Sequence, residues 1–515
     1  MYSQALLKMK SNRIGISIPA FAFVLAASVA ACGNGSAIND TEGYKLEEKV
    51  YVRVPASIID MDSTSHVCGL VRRGDSLEVI GYDRLEKGRP YRYLVKKGKT
   101  EAFIYGKYVS DSLHKAVAPY LTHALDSIHR SVKDRFKGGK AISCDFQENL
   151  RPADIYKGMP DPCNAFYLNI NPSNLKNIDA YIRLADSTRI NAFVLDMKDN
   201  ECPGFKAEAM RLYSPTNYRH AGSEKEALYK KVVEKLHRKG YWVIGRITCF
   251  KDSYFAKDHP ESCISMKEDG KPFYHNKSYW PSAYSRKCWQ FNVELAKECV
   301  RKFGIDEINF DYCRFPDRMT SIDGQLNFHN TYGESKVEAI QNFVRYAADE
   351  LHAIGVPLSV DVFGESAQKG YTTAYGQYWP ALSNVADVIC AMPYPDHFAS
   401  GSFGLSKPWN HPYELMKAWG ERAAARQRET TSPARVRTWI QVYHIMRHVD
   451  PDGIDNNADF VRRQIQGLYD AGLTDGYLTW NAGGAISIYR KQASAYSIDF
   501  SKKIYPQGSR KGEIA

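Results

Sequence analysis

Several signatures are missing from this 515-residue chain, and each absence removes a class of chemistry. There is no Cys-x-x-Cys pair, which argues against a zinc cluster or a thioredoxin-type redox couple. No His-Glu-x-x-His spacing occurs, so no catalytic metal is expected, and no Gly-x-Ser-x-Gly elbow, so acyl-transfer hydrolysis has no nucleophile. No cofactor is implied. Blocks of like charge are also absent: the net charge of +11 is spread along the chain, as on a solvated basic surface, and no nucleic-acid arm is expected. The one long apolar stretch, from Ile14 to Val29, is too short and too weakly hydrophobic to span a membrane.

What is present begins with that stretch. Lys8, Lys10 and Arg13 precede it, and Ala30, Ala31 and Cys32 follow, so residues 1–32 have the charged, apolar and small-residue regions of an export signal. Val29-Ala30-Ala31-Cys32 resembles the lipobox of bacterial lipoproteins, which implies lipidation of Cys32, a membrane anchor, and a place in the bacterial cell envelope. An exported chain is permitted disulfides. Of the ten remaining cysteines, 163, 249, 313 and 390 fall in apolar strand runs, where a thiol acts as a small hydrophobe; mostly free buried thiols are expected, with a bridge or two at most.

A short polar linker, 33–46, leads to an all-β pattern over 47–112, with alternation in Leu77-Glu78-Val79-Ile80-Gly81 and a Gly74-Asp75 turn. This order of strands and turns resembles the bacterial Src-homology-3-like barrel found beside cell-wall and polysaccharide enzymes, and the resemblance implies cell-wall contact through these residues. Residues 113–160 read as a connector with an amphipathic helix over 117–136. From 161 to 495 the pattern alternates, with strands expected at 165–170, 192–197, 241–247, 305–311, 357–362, 386–392, 436–443 and 476–480, and helices at 175–187, 225–238, 287–303, 338–353, 413–426 and 458–471. A tail covers 496–515. The fold class is therefore α/β, a (β/α)8 TIM barrel behind a small all-β module. An open doubly wound sheet fits less well, because Asn169-Ile170-Asn171-Pro172 stands where its phosphate loop would be.

In such a barrel, catalytic groups collect at the carboxyl ends of the strands. Gly304 to Pro316, GIDEINFDYCRFP, is a buried strand ending in Asp311. Asp196 and Asp361 occupy equivalent places on the second and fifth strands, and Glu365 follows shortly after. Paired carboxylates are what glycosidic cleavage requires: one protonates the leaving oxygen while the other attacks or activates water. Around them, Asp196, Lys198, Arg246, Arg314, Tyr394, His397, Gln441, Trp480 and Asn481 stand at strand ends or in the loops beyond, as candidates for substrate binding. Asp196, Lys198 and Asp199 read as an ion network, and Arg314 as a partner for Asp311 or a clamp for an acidic sugar.

Five blocks, Ala192 to Asp199, Gly304 to Pro316, Ser359 to Gly364, Met392 to Pro395 and Leu478 to Ala482, resemble in the same order the hallmark blocks of a bacterial family of predicted glycoside hydrolases, long catalogued as a domain of unknown function. That family is similar to the α-amylase-type barrels. The resemblance implies Asp311 as nucleophile and Asp361 or Glu365 as proton donor, acting on a polysaccharide. GIDEINFDY is also similar to the chitinase motif, but Cys313 or Arg314 stands where its catalytic Glu belongs. A polysaccharide-binding lipoprotein without turnover is the alternative.

Overall fold

The computed structural model describes residues 45–501 except 62–65, 133, 135–136, 223 and 369–373. The export signal, Cys32 and most of the linker lie outside the described residues, as does the tail from 502.

Eight parallel strands close into a barrel: Cys163–Leu168, Ala192–Asp199, Trp242–Thr248, Glu307–Asp311, Leu358–Phe363, Val388–Met392, a seventh in two pieces, and Gly476–Trp480. They pair in sequence order, and the eighth returns to the first. The strands read as continuous apolar runs because both faces are buried, one against the barrel axis and one against the surrounding helices. Cys163, Ala165, Tyr167, Ala192, Val194, Ile244, Val388, Cys390, Trp439 and Leu478 fill the interior. Lower down, Arg437 and Glu307 make a fully buried ion pair at 2.8 Å, with the Trp242 indole N–H donating to the same carboxylate at 3.1 Å.

The seventh strand departs from the expected span, 436–443. It is Arg435–Val436, paired with the sixth strand, and Thr438–Gln441, paired with the eighth. Arg437 sits at the break, its N–H donating to Ile389 O at 3.0 Å, so the chain changes partners there and closes the ring. Other departures are local. The first barrel helix is two pieces, Pro172–Lys176 and Ile178–Ala185. The connector forms Leu113–Val117 and His123–Ser131 rather than one helix, because Pro119 interrupts it and the Thr122 hydroxyl caps the second piece by accepting from Leu125 N–H. The later helices carry their caps in sequence: Ser335 and Glu338 form a capping box before Lys336–His352, and Gly304 ends Arg286–Phe303 at φ +73°.

The N-terminal module is a seven-stranded antiparallel sheet. It docks on helix Lys336–His352: Tyr108 and Lys107 meet Asp349 at 2.7 and 2.6 Å, and the Tyr105 hydroxyl donates to Glu350 at 3.1 Å. Fifteen of the helix's seventeen residues are buried, since the barrel covers one face and the module the other. All ten described cysteines are free thiols. Above the barrel, the loops after the third and fourth strands join through an antiparallel pair, Ser265–Met266 with Leu326–Asn327. Ile264, Trp280, Met319 and Leu326 give this flap its own apolar core.

Candidate active site

Strand alternation sends every second side chain inward, and the parallel registers decide which of them meet. Thr248 pairs with Asp311, Asp196 with Arg246, and Phe310 with Val360, so Asp311 and Asp361 lie side by side on adjacent strands at the carboxyl end of the barrel. Arg246, two residues before the end of its strand, reaches into the carboxylates. One terminal nitrogen lies 2.6 Å from Asp196 and 3.4 Å from Asp199, the other 2.5 Å from Asp311, and Nε stands 4.0 Å from Asp361.

The partners of the carboxylates differ. Asp311 also accepts from the Tyr312 backbone N–H at 2.5 Å, and its side chain keeps 9 % of its surface exposed. Asp361 is 1 % exposed; Oδ1 accepts from Asn309 at 2.9 Å and from the Trp439 indole N–H at 2.8 Å, while Oδ2 is buried without a hydrogen-bond partner. Burial, with the Asp311 charge second, holds the Asp361 carboxyl well above the ordinary carboxylate range, against the opposing pull of Arg246. Burial also lifts Asp196 to about 7, although Arg246 and the Tyr167 hydroxyl, donating at 2.5 Å, act against the shift. One guanidinium faces this whole group of acids, which favours the neutral forms of Asp196 and Asp361.

Glu365 stands exposed in the short 3-10 turn Gly364–Ala367 beyond the fifth strand. Partial burial, then the charge of Asp317, raises its carboxyl. Aromatic rings form the opposite wall. Trp480 lies nearly parallel to Tyr394 at 6.4 Å, packs against Tyr167 at 4.7 Å, and covers Arg246 at 5.3 Å.

Several sequence candidates take other roles. Arg314 does not touch Asp311: it bonds Phe315 O and Asp317, at 3.2 and 3.3 Å, among the rings of Trp280, Tyr312 and Phe363. Lys198 is fully buried and pairs with Asp252 at 3.0 Å, because a bulge between Asp196 and Lys198 turns it out of the barrel mouth. The expected Asp196, Lys198 and Asp199 network therefore forms around Arg246, without the lysine. Gln441 is fully buried and holds Asp396, donating to its carboxylate at 3.2 Å and accepting from its N–H at 3.2 Å. Asn481 is buried and bonds Ala485 O at 3.3 Å, shaping the eighth loop. His397 is half exposed, with its ring 5.1 Å from Tyr394. Tyr167, Asn309 and Trp439, which directly contact the carboxylates, were not among the candidates; their inward parity on the first, fourth and seventh strands was the available signal.

Residues 165–485 match the model of a family described as "Putative glycosyl hydrolase domain". No curated protein matches the chain. Among solved structures, a hypothetical protein from Ruminiclostridium thermocellum ATCC 27405 is 32 % identical over 38 % of this chain and 97 % of its own, with a TM-score of 0.32. The PgaB (BpsB) glycoside hydrolase domain from Bordetella bronchiseptica is 14 % identical over 65 % of this chain and 97 % of its own, TM-score 0.45. Alpha-L-fucosidase isoenzyme 2 from Paenibacillus thiaminolyticus is 14 % identical over 65 % of this chain and 48 % of its own, TM-score 0.42. The chain belongs to the family described as "Putative glycosyl hydrolase domain", and it is a hydrolase of the glycoside-cleaving class.

Proposed function

We propose that the chain hydrolyses glycosidic bonds within a polysaccharide, with Asp311 as nucleophile and Asp361 as proton donor. The observation that carries this reading is the juxtaposition of the two groups. They are neighbours on adjacent strands, Arg246 reaches both, and burial, with the charge of Asp311 second, raises the Asp361 carboxyl well above the ordinary carboxylate range, as a proton donor requires. Attack by Asp311 makes the reaction a double displacement, which retains the anomeric configuration. Asp361 gives its proton to the glycosidic oxygen as Asp311 attacks the anomeric carbon. The C–O bond breaks, the leaving sugar departs as an alcohol, and a glycosyl ester forms on Asp311. Water then attacks the ester, Asp361 takes back a proton, and Asp311 is freed. Trp480, partly exposed at the mouth, supplies a face on which a sugar ring stacks.

Screening the full chain against bacterial exopolysaccharides, peptidoglycan and α-glucans identifies the polymer. On that polymer, Asp311→Asn and Asp361→Asn each lose at least about a thousandfold in kcat, a share of the barrier on the scale of covalent and acid–base catalysis. If Glu365→Gln loses as much while Asp361→Asn stays active, the proton donor is Glu365 on the rim.

The same reading places the enzyme in the cell envelope, anchored through lipid on Cys32, with the N-terminal module as a Src-homology-3-like contact to the wall. It is supported by the lipobox-like Val29 to Cys32 and by the antiparallel sheet of the module. Cys32→Ser then moves the protein out of the membrane fraction, and retention there contradicts the anchor.

A further inference from the structure

Lys251 is a cation at the barrel mouth that forms no ion pair with another described residue. It stands at the start of the loop after the third strand, half buried, and no hydrogen bond or ion pair joins it to another described residue. Its Nζ lies 5.1 Å from the centre of the Tyr312 ring. The guanidinium carbon of Arg314 lies 4.9 Å from the same ring.

Glu201, Asp199 and Asp311 are the acids whose charges act on Lys251, and each also has a hydrogen-bond or ion-pair partner of its own. Asp199 and Asp311 face Arg246. Glu201 accepts from the Ser253 hydroxyl at 2.5 Å, from Ser253 N–H at 3.1 Å, and from the Ser278 hydroxyl. Arg314 spends one nitrogen on Phe315 O and Asp317.

Tyr312 is the residue directly after Asp311, and its backbone is in the left-handed region at φ +52°, which is unfavourable for an L-residue. Its N–H bond to Asp311 fixes that conformation, so the two cations are held at one ring beside the proposed nucleophile. On the rim above, Arg318 is 88 % exposed. Half-burying an ammonium is unfavourable, and burial pulls the Lys251 pKa below its ordinary value against the charges of Glu201, Asp199 and Asp311.

We propose that Lys251, with Arg314 and the face of Tyr312, forms a subsite for an anionic substituent, so that the substrate is an acidic polysaccharide. The expected anion is a sugar carboxylate. A sulfate ester shares the same chemistry. This inference rests on the reading of this barrel face as a polysaccharide cleft.

The test uses the full chain carrying Asp311→Asn, which blocks turnover, in affinity gels containing polygalacturonate, alginate, dextran sulfate, dextran or chitosan. Retardation is expected with the carboxylated polymers and not with dextran or chitosan; retardation by dextran sulfate alone assigns the subsite to sulfate. Adding Lys251→Met weakens that binding about tenfold, the scale of one charge-assisted contact, without lowering the melting temperature. Lys251→Arg restores most of it. Lys99→Met, on the exposed N-terminal module, leaves it unchanged. The proposal is overturned if no acidic polymer is retained, or if Lys251→Met binds as tightly as its parent, or if Lys99→Met weakens binding equally. Acidic polymers held through Lys251 but cleaved by no wild-type preparation would sink the hydrolytic mechanism and leave this subsite standing. Cleavage of a neutral polymer alone would do the reverse.

Discussion

Arg246 organises the site, because four carboxylates face its one guanidinium. Replacing it with Met leaves buried acids without a counter-charge, so Arg246→Met is expected to lose activity and about 3 to 5 kcal/mol of stability, measured by urea unfolding. Arg246→Lys should not rescue turnover, since a single ammonium cannot span Asp196, Asp311 and Asp361 as a planar fork does. Asp196 makes a prediction about pH. Raised to about 7 in the folded chain, it keeps a proton that the unfolded chain loses near pH 4. The stability it contributes is therefore whole below about pH 4 and is lost as the pH rises towards 7. Asp196→Asn should flatten that fall in the unfolding free energy between pH 4 and 7, and a variant that declines as steeply as wild type contradicts the assignment. At this scale the sequence was partly legible. Asp196, Arg246, Asp311 and Asp361 stood out as polar residues ending apolar strands. Lys198 looked equivalent to them, but its direction depends on a bulge that leaves no local signal. Gln441 and Asn481 bond Asp396 and Ala485 O, since a polar residue at a strand end serves a neighbouring loop as readily as a ligand.

Eight strands and most of the outer helices were legible because each strand is an apolar run bounded by polar loops and each helix carries its own cap. The seventh strand was not, since a break that exchanges pairing partners at Arg437 depends on the barrel's closure and on Glu307, 130 residues away in sequence. Closure also fixes Gly476. With φ +112°, and with a Cβ that would stand 2.0 Å from Cys163 O, this position admits no side chain without moving the first strand against the eighth. Gly476→Ala should therefore cost several kcal/mol, well above the roughly 1 kcal/mol of an average substitution, and a thermal melt within a few degrees of wild type contradicts it. The flap is a second feature of this scale. Its strands are two residues long, and the apolar cluster around Trp280 is what joins the loops after the third and fourth strands into one piece.

For the whole molecule, the module and the barrel share helix Lys336–His352, so the fourth strand, the helix that follows it and the N-terminal sheet form one continuous packing unit. Module and barrel carry separate patterns along the chain, but their docking rests on Tyr105, Lys107 and Tyr108 meeting Asp349 and Glu350, pairs that no local pattern identifies. The architecture places the acids at the barrel's carboxyl end, under the flap, with the module held against the barrel's side. The measurement that tests the central claim most directly is to trap the covalent intermediate. A 2-deoxy-2-fluoro glycoside of the sugar found in the polymer screen is incubated with the full chain, and the labelled peptide is mapped by mass spectrometry. The account predicts a glycosyl ester on Asp311 and products that retain the anomeric configuration. An adduct on another residue, or products of inverted configuration, would contradict it.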